Sequence, residues 1–301
     1  MLLGLNKEDY FQKKKKEKAN AIDKVSQIIK NLDSLKIDRR LQELNEAINI
    51  LFSKELIYEK DSSGRFIYNN LKNKLSENLD KLFLDAGASR LYYNPFLQNK
   101  LTATISVLYE GKLCTPLPIV IELDGAIISK LYSSDKKQTE LVLEPSKKNE
   151  QIVKIILDQT IFGEKIDLLD PSDLTIGEFV LDPIIGDLDI SFNGPLNKDQ
   201  KKRIESNIEN FFFTRFQKKK TEFNESKVIV SVERSDQPKP QHNFPNISYI
   251  SGSISISNGI LENTFIISRT KGVDFESADR AYDKSISNLL SEKHLSMIFK
   301  Q

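Results

Sequence analysis

The sequence predicts an α+β protein of several parts: a helical front end, a small immunoglobulin-like β-sandwich and a closing β-α-β-β-β-α module. Three observations carry this. Apolar residues recur at three- and four-residue steps through 1–90, they switch to strict alternation at Leu101, and the last third mixes both periods. The 301 residues exceed one average domain, and a composition of 39% hydrophobic and 29% charged residues is that of a globular chain.

The first helix is expected over residues 7–36, with Asn6 as its cap and Asp9 three places on. Its apolar stripe is Ile22, Val25, Ile29, Leu32 and Leu35, while Phe11 to Lys18 is mostly charged and projects into solvent. Asp38 can cap a second helix striped by Leu41, Leu44, Ile48, Leu51 and Phe52, so the two form an antiparallel hairpin. Asp61-Ser62-Ser63-Gly64 is a loop, and a third helix over 67–84 carries Leu71, Leu75, Leu79, Leu82 and Phe83.

In the second part, 91–160, Leu101, Ala103, Ile105, Val107 and Tyr109 alternate with polar residues as a half-buried strand. Glu110-Gly111, Asp124-Gly125 and Ser134–Lys137 separate further short strands, the spacing of a sandwich. The acidic stretch 161–183, with Pro171 and Pro183, reads as a linker. In the module 184–301, a strand over 187–192 precedes a helix capped by Asn197, with Gln200 completing a capping box. Val228, Val230 and Val232 alternate, 235–246 is a proline-rich loop, and Ile250, Ile254 and Ile256 alternate with serines. Asn258-Gly259 is the chain's strongest hairpin signal, followed by a strand over 261–269 and a helix over 274–293.

Helices broken by Ser62-Ser63-Gly64 lead into the Leu101 strand, then Tyr109-Glu110-Gly111-Lys112 and Pro116-Leu117-Pro118. With the serine-rich hairpin, Gly272 and the helix bearing Glu276, Ala278 and Ala281, this layout resembles bacterial envelope lipoproteins of the LPP20 type. Curli-secretion and flagellar-assembly accessory proteins are similar in build. The resemblance implies an assembly or scaffold role in a cell-envelope complex and no catalytic residues. The sequence departs from that group in lacking a signal peptide and a lipobox cysteine. A preceding leader would place it in the envelope, and a start at Met1 in the cytoplasm.

Chemistry is sparse. Lys and Arg, 44, nearly balance Asp and Glu, 43, so no global field gathers nucleic acid. The local basic run is Lys13–Lys16 with Lys18, and a short one is Lys218–Lys220; neither interleaves aromatics at base-stacking spacing. No run approaches the roughly 18 apolar residues of a membrane helix. Cys114 stands alone and reads as a small buried apolar residue, and His242 and His294 as solvated surface groups. The serine alternation from Ser251 to Ser257 is read as the wet face of a strand. Asp187 and Asp189, sharing a strand face, could aim oxygens at a divalent cation, which would make the chain a metal-dependent hydrolase. The cluster Asp167, Asp170 and Asp173 lacks the EF-hand spacing. The expectation is a non-enzymatic binding or assembly protein without cofactor or small-molecule substrate. It contacts a protein partner or itself through open strands or through the first helix, by Ile22, Val25, Ile29, Leu32, Lys13 and Lys14. Nucleic-acid binding through Lys13–Lys16 is the further alternative.

Overall fold

The structure, a computed structural model, describes residues 7–145, 150–163, 171–218 and 226–299. The expected Asn6 cap, Asp167, Asp170, Lys219 and Lys220 lie outside these. In order the elements are α1 (Lys7–Asn31), α2 (Ile37–Ser53), α3 (Ile67–Asp80), β1 (Leu82–Asp85), β2 (Arg90–Tyr93), β3 (Leu101–Tyr109), β4 (Lys112–Leu113), β5 (Pro118–Leu123), β6 (Ala126–Tyr132), β7 (Thr139–Leu143) and β8 (Gln151–Leu157). Then follow β9 (Thr175–Ile185), β10 (Leu188–Asn193), α4 (Lys198–Phe213), β11 (Gln217–Lys218), β12 (Ser226–Gln237), β13 (Asn246–Ser257), β14 (Glu262–Asp274), α5 (Ala278–Leu289) and α6 (Glu292–Ile298). The chain is α+β, with helices first and a helix-backed sheet last.

Two compact units result, and they interleave: one is Met1–Arg90, Thr102–Leu141 and Ile152–Val180, the other Leu91–Leu101, Val142–Gln151 and Leu181–Gln301. The serial parts expected from the sequence do not close on themselves. The sheet around β3 takes β1 from before residue 91, and β8 pairs with β9 from within the stretch read as a linker. Ile176, Phe179 and Leu181 of β9 are buried, and that apolar alternation outweighs the prolines and acids around it.

In the first unit, Ala21, Val25, Ile28 and Leu32 of α1 are buried, as are Leu41, Leu44, Ile48 and Leu51 of α2 and Leu71, Leu75 and Leu79 of α3. Burial at three- and four-residue steps packs α2 against both neighbours. The α1 helix stops at Asn31 in a 3-10 turn whose carbonyls meet Arg40. Its Nε donates to Leu32 O (3.0 Å), Nη2 to Asp33 O (3.3 Å) and Leu35 O (3.0 Å), and Nη1 to Asn78 Oδ1 (3.2 Å) and Tyr109 Oη (2.9 Å). All of the guanidinium's donors are thereby engaged, joining the end of α1, α2, α3 and β3.

The third helix ends at Asp80, short of the expected 84. Leu82–Asp85 instead pairs antiparallel with β3, Leu82 opposite Tyr109, burying Leu82 and leaving Phe83 exposed. The available strand edge overrides the helical period. Glu110-Gly111 and Asp124-Gly125 both turn with positive φ at each residue, closing the hairpins β3–β4 and β5–β6 as two-residue turns.

In the second unit, β10 and β12 are parallel neighbours joined through α4, and β12, β13 and β14 continue antiparallel in the order β10-β12-β13-β14. Asn197 and Gln200 form the expected capping box. One core joins Ile204, Ile208 and Phe212 to Val228, Val230, Ile254, Phe265, Tyr282 and Ile286. Phe96 inserts into it, its ring 4.8 Å from Phe212 and 5.4 Å from Phe299. Gly272 lets α5 lie directly on β14: an added Cβ there would collide with the Ala281 carbonyl and the Ser285 amide. The 235–246 loop is shorter than read, because β12 runs on to Gln237. The last helix is two, α5 capped by Ser277 and α6 by Ser291.

Candidate functional site

The groups that could form or break bonds are dispersed. Cys114 is buried, and desolvation pushes its thiol up to about 11, so it is not a thiolate at neutral pH. His242 lies exposed in the loop after β12, while His294 Nδ1 lies 2.9 Å from Ser291 Oγ at the start of α6. Asp187 is in the turn before β10 rather than on the strand, its carbonyl accepting from Ser226 N–H (2.9 Å). Asp189 is exposed and stands opposite Lys227 in the ladder. Among the described residues no group of three or more His, Cys, Asp or Glu is placed to hold a metal ion.

The α1 stripe has a different fate from the one expected. Val25 and Leu32 are buried and Ile22 and Ile29 half-buried, because the same side chains that could meet another copy already meet α2. Lys13 and Lys14 are exposed, as is every residue from Glu8 to Asn20. Tyr10 is 46% and Phe11 59% exposed, and Lys14 Nζ lies 5.4 Å from the Tyr10 ring centroid. Lys218 belongs to β11, which pairs with β9 at Ile184 and Ile185.

The uncovered face of the C-terminal sheet forms regular rows. Asp189, Lys227, Ser257 and Glu262 lie across one row; Ser191, Ile229, Ser255 and Thr264 across the next; Asn193, Ser231, Ser253 and Ile266 across the third. The hydroxyls bond to one another and to amides, Ser255 to Thr264 at 2.9 Å and Asn193 to Ser231 at 3.3 Å. This is a wetted strand face, as the serine alternation led one to expect.

The structure singles out a feature that the sequence reading passed over, the edge strand β6. It ends the strand order β9-β8-β5-β6 and, among the described residues, has a neighbouring strand on one side only. Its exposed large side chains are apolar at Ile127 (60%), Ile128 (42%) and Tyr132 (69%), with Lys130 exposed among them. A bulge sets Ile128 outside the ladder, between the pairs Ile121–Ser129 and Glu122–Ile127. The single charge on β6, Lys130, is matched by Asp158 at 3.3 Å. Burial pushes the Asp158 carboxyl up, but bonds from Thr160 and Lys130 outweigh it and hold it below the usual carboxylate range. The edge strand β14 carries Glu262, Arg269 and Lys271, the charges that ordinarily guard an edge. On β6 that guard is weak. The sequence signal was present in Ala126-Ile127-Ile128-Ser129-Lys130-Leu131-Tyr132, whose paired apolar residues break the alternation of a strand with one dry face.

The arrangement defines a mixed α+β protein with an exposed, weakly guarded strand edge and a projecting helix. Compared with protein-family models, with curated proteins and with solved structures, the chain matches none. Among the described residues no helix is long and apolar enough to cross a membrane.

Proposed function

We propose that this chain is a non-catalytic assembly protein that pairs with a second copy of itself by strand addition at β6. The carrying observation is the edge itself: a terminal strand that exposes Ile127, Ile128 and Tyr132 and whose one charge, the exposed Lys130, is paired with Asp158. Backbone donors and acceptors on an open edge accept another strand, and exposed apolar side chains supply the burial that makes the contact persist. A second copy is the occupant favoured by symmetry. Two identical edges meeting antiparallel form an isologous contact that closes at two subunits, and the Lys130–Asp158 pair lowers the repulsion between facing lysines. The layout resemblance to envelope lipoproteins is consistent with an assembly role, although no family model supports it.

Sedimentation equilibrium of the full chain tests this. The wild type is expected to dimerise reversibly. Ile128→Lys acts twice in a symmetric contact, and about 1 kcal/mol lost per copy weakens the dimer about 30-fold. Far-ultraviolet circular dichroism stays unchanged, because Ile128 lies outside the ladder. A wild type that is monomeric at every concentration, or a dimer indifferent to both Ile128→Lys and Tyr132→Lys, defeats the proposal.

A further inference from the structure

The projecting half of α1 continues a stripe that changes chemistry midway. Tyr10, Lys14, Lys18, Ala21, Val25, Ile28 and Leu32 follow one another at steps of three and four, so they share one face of the helix. From Ala21 onward that face is buried, whereas Tyr10, Lys14 and Lys18 are exposed. Phe11 and Lys15 lie beside them at the same spacing. Asp9, Lys16 and Asn20 fall on the opposite side, and Glu8, Lys13 and Glu17 on the flanks. The result is a stripe of two aromatic rings and three lysines about 12 Å long, at 1.5 Å per residue, on a helix with no residue buried from Glu8 to Asn20.

Charge decides what can cover it. Another copy of the same stripe would set lysine against lysine, so self-pairing here is disfavoured. The cover must be anionic and must also receive a phenylalanine and a tyrosine. We infer that the projecting half of α1 docks the protein onto an anionic phospholipid surface, with Lys14, Lys15 and Lys18 at the headgroups and Tyr10 and Phe11 in the interface. A cluster of lysines is attracted to an anionic leaflet by about 1 kcal/mol per residue, and aromatic rings beside it can settle among the headgroups, whereas single-strand nucleic acid calls for rings spaced to stack bases. The neighbouring Tyr10 and Phe11 meet edge to face, 6.0 Å between centroids, as one apolar wedge.

Co-sedimentation of the full chain with vesicles tests this, using phosphatidylcholine alone and an equal mixture with phosphatidylglycerol. Binding is expected only to the mixture, and to fall between about 0.1 M and about 0.5 M salt as screening shortens the reach of the lysines. The combined variant Lys14→Gln, Lys15→Gln, Lys18→Gln should bind about 100-fold more weakly, and Phe11→Ser should also weaken binding. The control Lys16→Gln, on the opposite side, should lose far less. All of these positions are exposed, so thermal unfolding should be unchanged. Equal binding to both vesicle types, no binding to either, or equal losses in the triple and control variants overturns the inference. Retention by duplex DNA without vesicle binding overturns it in favour of nucleic acid. Because Ile128→Lys leaves α1 untouched, vesicle binding by that variant separates this inference from the β6 contact.

Discussion

Replacing Arg40 tests how the first unit is held together. Its guanidinium donates to the carbonyls of Leu32, Asp33 and Leu35, to Asn78 and to Tyr109, and its ring contact with Tyr109 is 5.7 Å. No carboxylate takes part in these bonds, so the cation is held by backbone and neutral oxygens at the end of α1, where the helix dipole favours positive charge. In Arg40→Met, Tyr109 Oη keeps its bond to Asn78 Oδ1 (2.7 Å) and Leu32 O its bond from Leu35 N–H (3.0 Å), but three carbonyls at the helix end lose the guanidinium. Hydrogen bonds to a charged group contribute about 1.5–3 kcal/mol where desolvated, and part of this site is solvated. We therefore expect a loss of about 3 kcal/mol. Arg40→Lys recovers a minority of it, since one ammonium cannot span acceptors fanned around a plane. For a unit of this size the loss lowers the melting temperature by roughly 6–12 °C. Differential scanning calorimetry should show the first unit's transition moving while the second unit's does not. A shift below about 2 °C, or one shared equally by both transitions, refutes the account of Arg40 as the clasp of the helical region.

Three more outcomes follow from the packing and the charges. Gly272→Ala forces α5 away from β14 at Ala281 and Ser285, costing about 3 kcal/mol in the second unit by chemical denaturation, whereas alanine at the open Gly87 costs less. Cys114, buried with its thiol pushed up to about 11, should alkylate in the native protein on the order of 100-fold more slowly than in denaturant at mildly alkaline pH, and rapid native labelling would contradict its placement. Burial raises the Asp236 carboxyl, but bonds from Arg234 and Ser248 leave it net lowered, so the unfolded chain binds its proton first as pH falls. Its stabilisation is present above the unfolded value near about 4 and is lost as pH falls through the folded one. Asp236→Asn should therefore flatten the acid limb of a stability–pH curve, and an unchanged limb excludes this contribution.

How much of this was legible depended on whether a feature is local. The capping box at Asn197 and Gln200 and the turns at Glu110-Gly111 and Asp124-Gly125 are written in a few adjacent residues, and each forms as read. The order of elements in the C-terminal module was legible for the same reason, since alternation and helical stripes are properties of each segment alone. Leu82–Asp85 and Thr175–Ile185 were misread because their state is set by distant strands, β3 and β8, that offer edges to them. The stripe of α1 was recognised, but whether α2 or another molecule covers it depends on the length of α2, which ends at Ser53. The exposure of Ile127, Ile128 and Tyr132 follows from sheet order, and no single segment encodes that β6 comes last.

Both proposed surfaces belong to the first unit, and both arise where an element outruns its neighbours: α1 extends beyond the helix it packs on, and among the described residues β6 has no strand beyond it. They call for opposite physics. Strand addition at β6 buries apolar side chains and backbone hydrogen bonds, interactions that salt leaves nearly untouched. The α1 stripe acts through exposed lysines whose attraction is screened within about 8–10 Å at physiological ionic strength. Raising the salt should therefore release the protein from anionic vesicles while leaving its dimer intact. Loss of both together would mean that one surface serves both contacts, and the division of labour between helix and edge would be wrong.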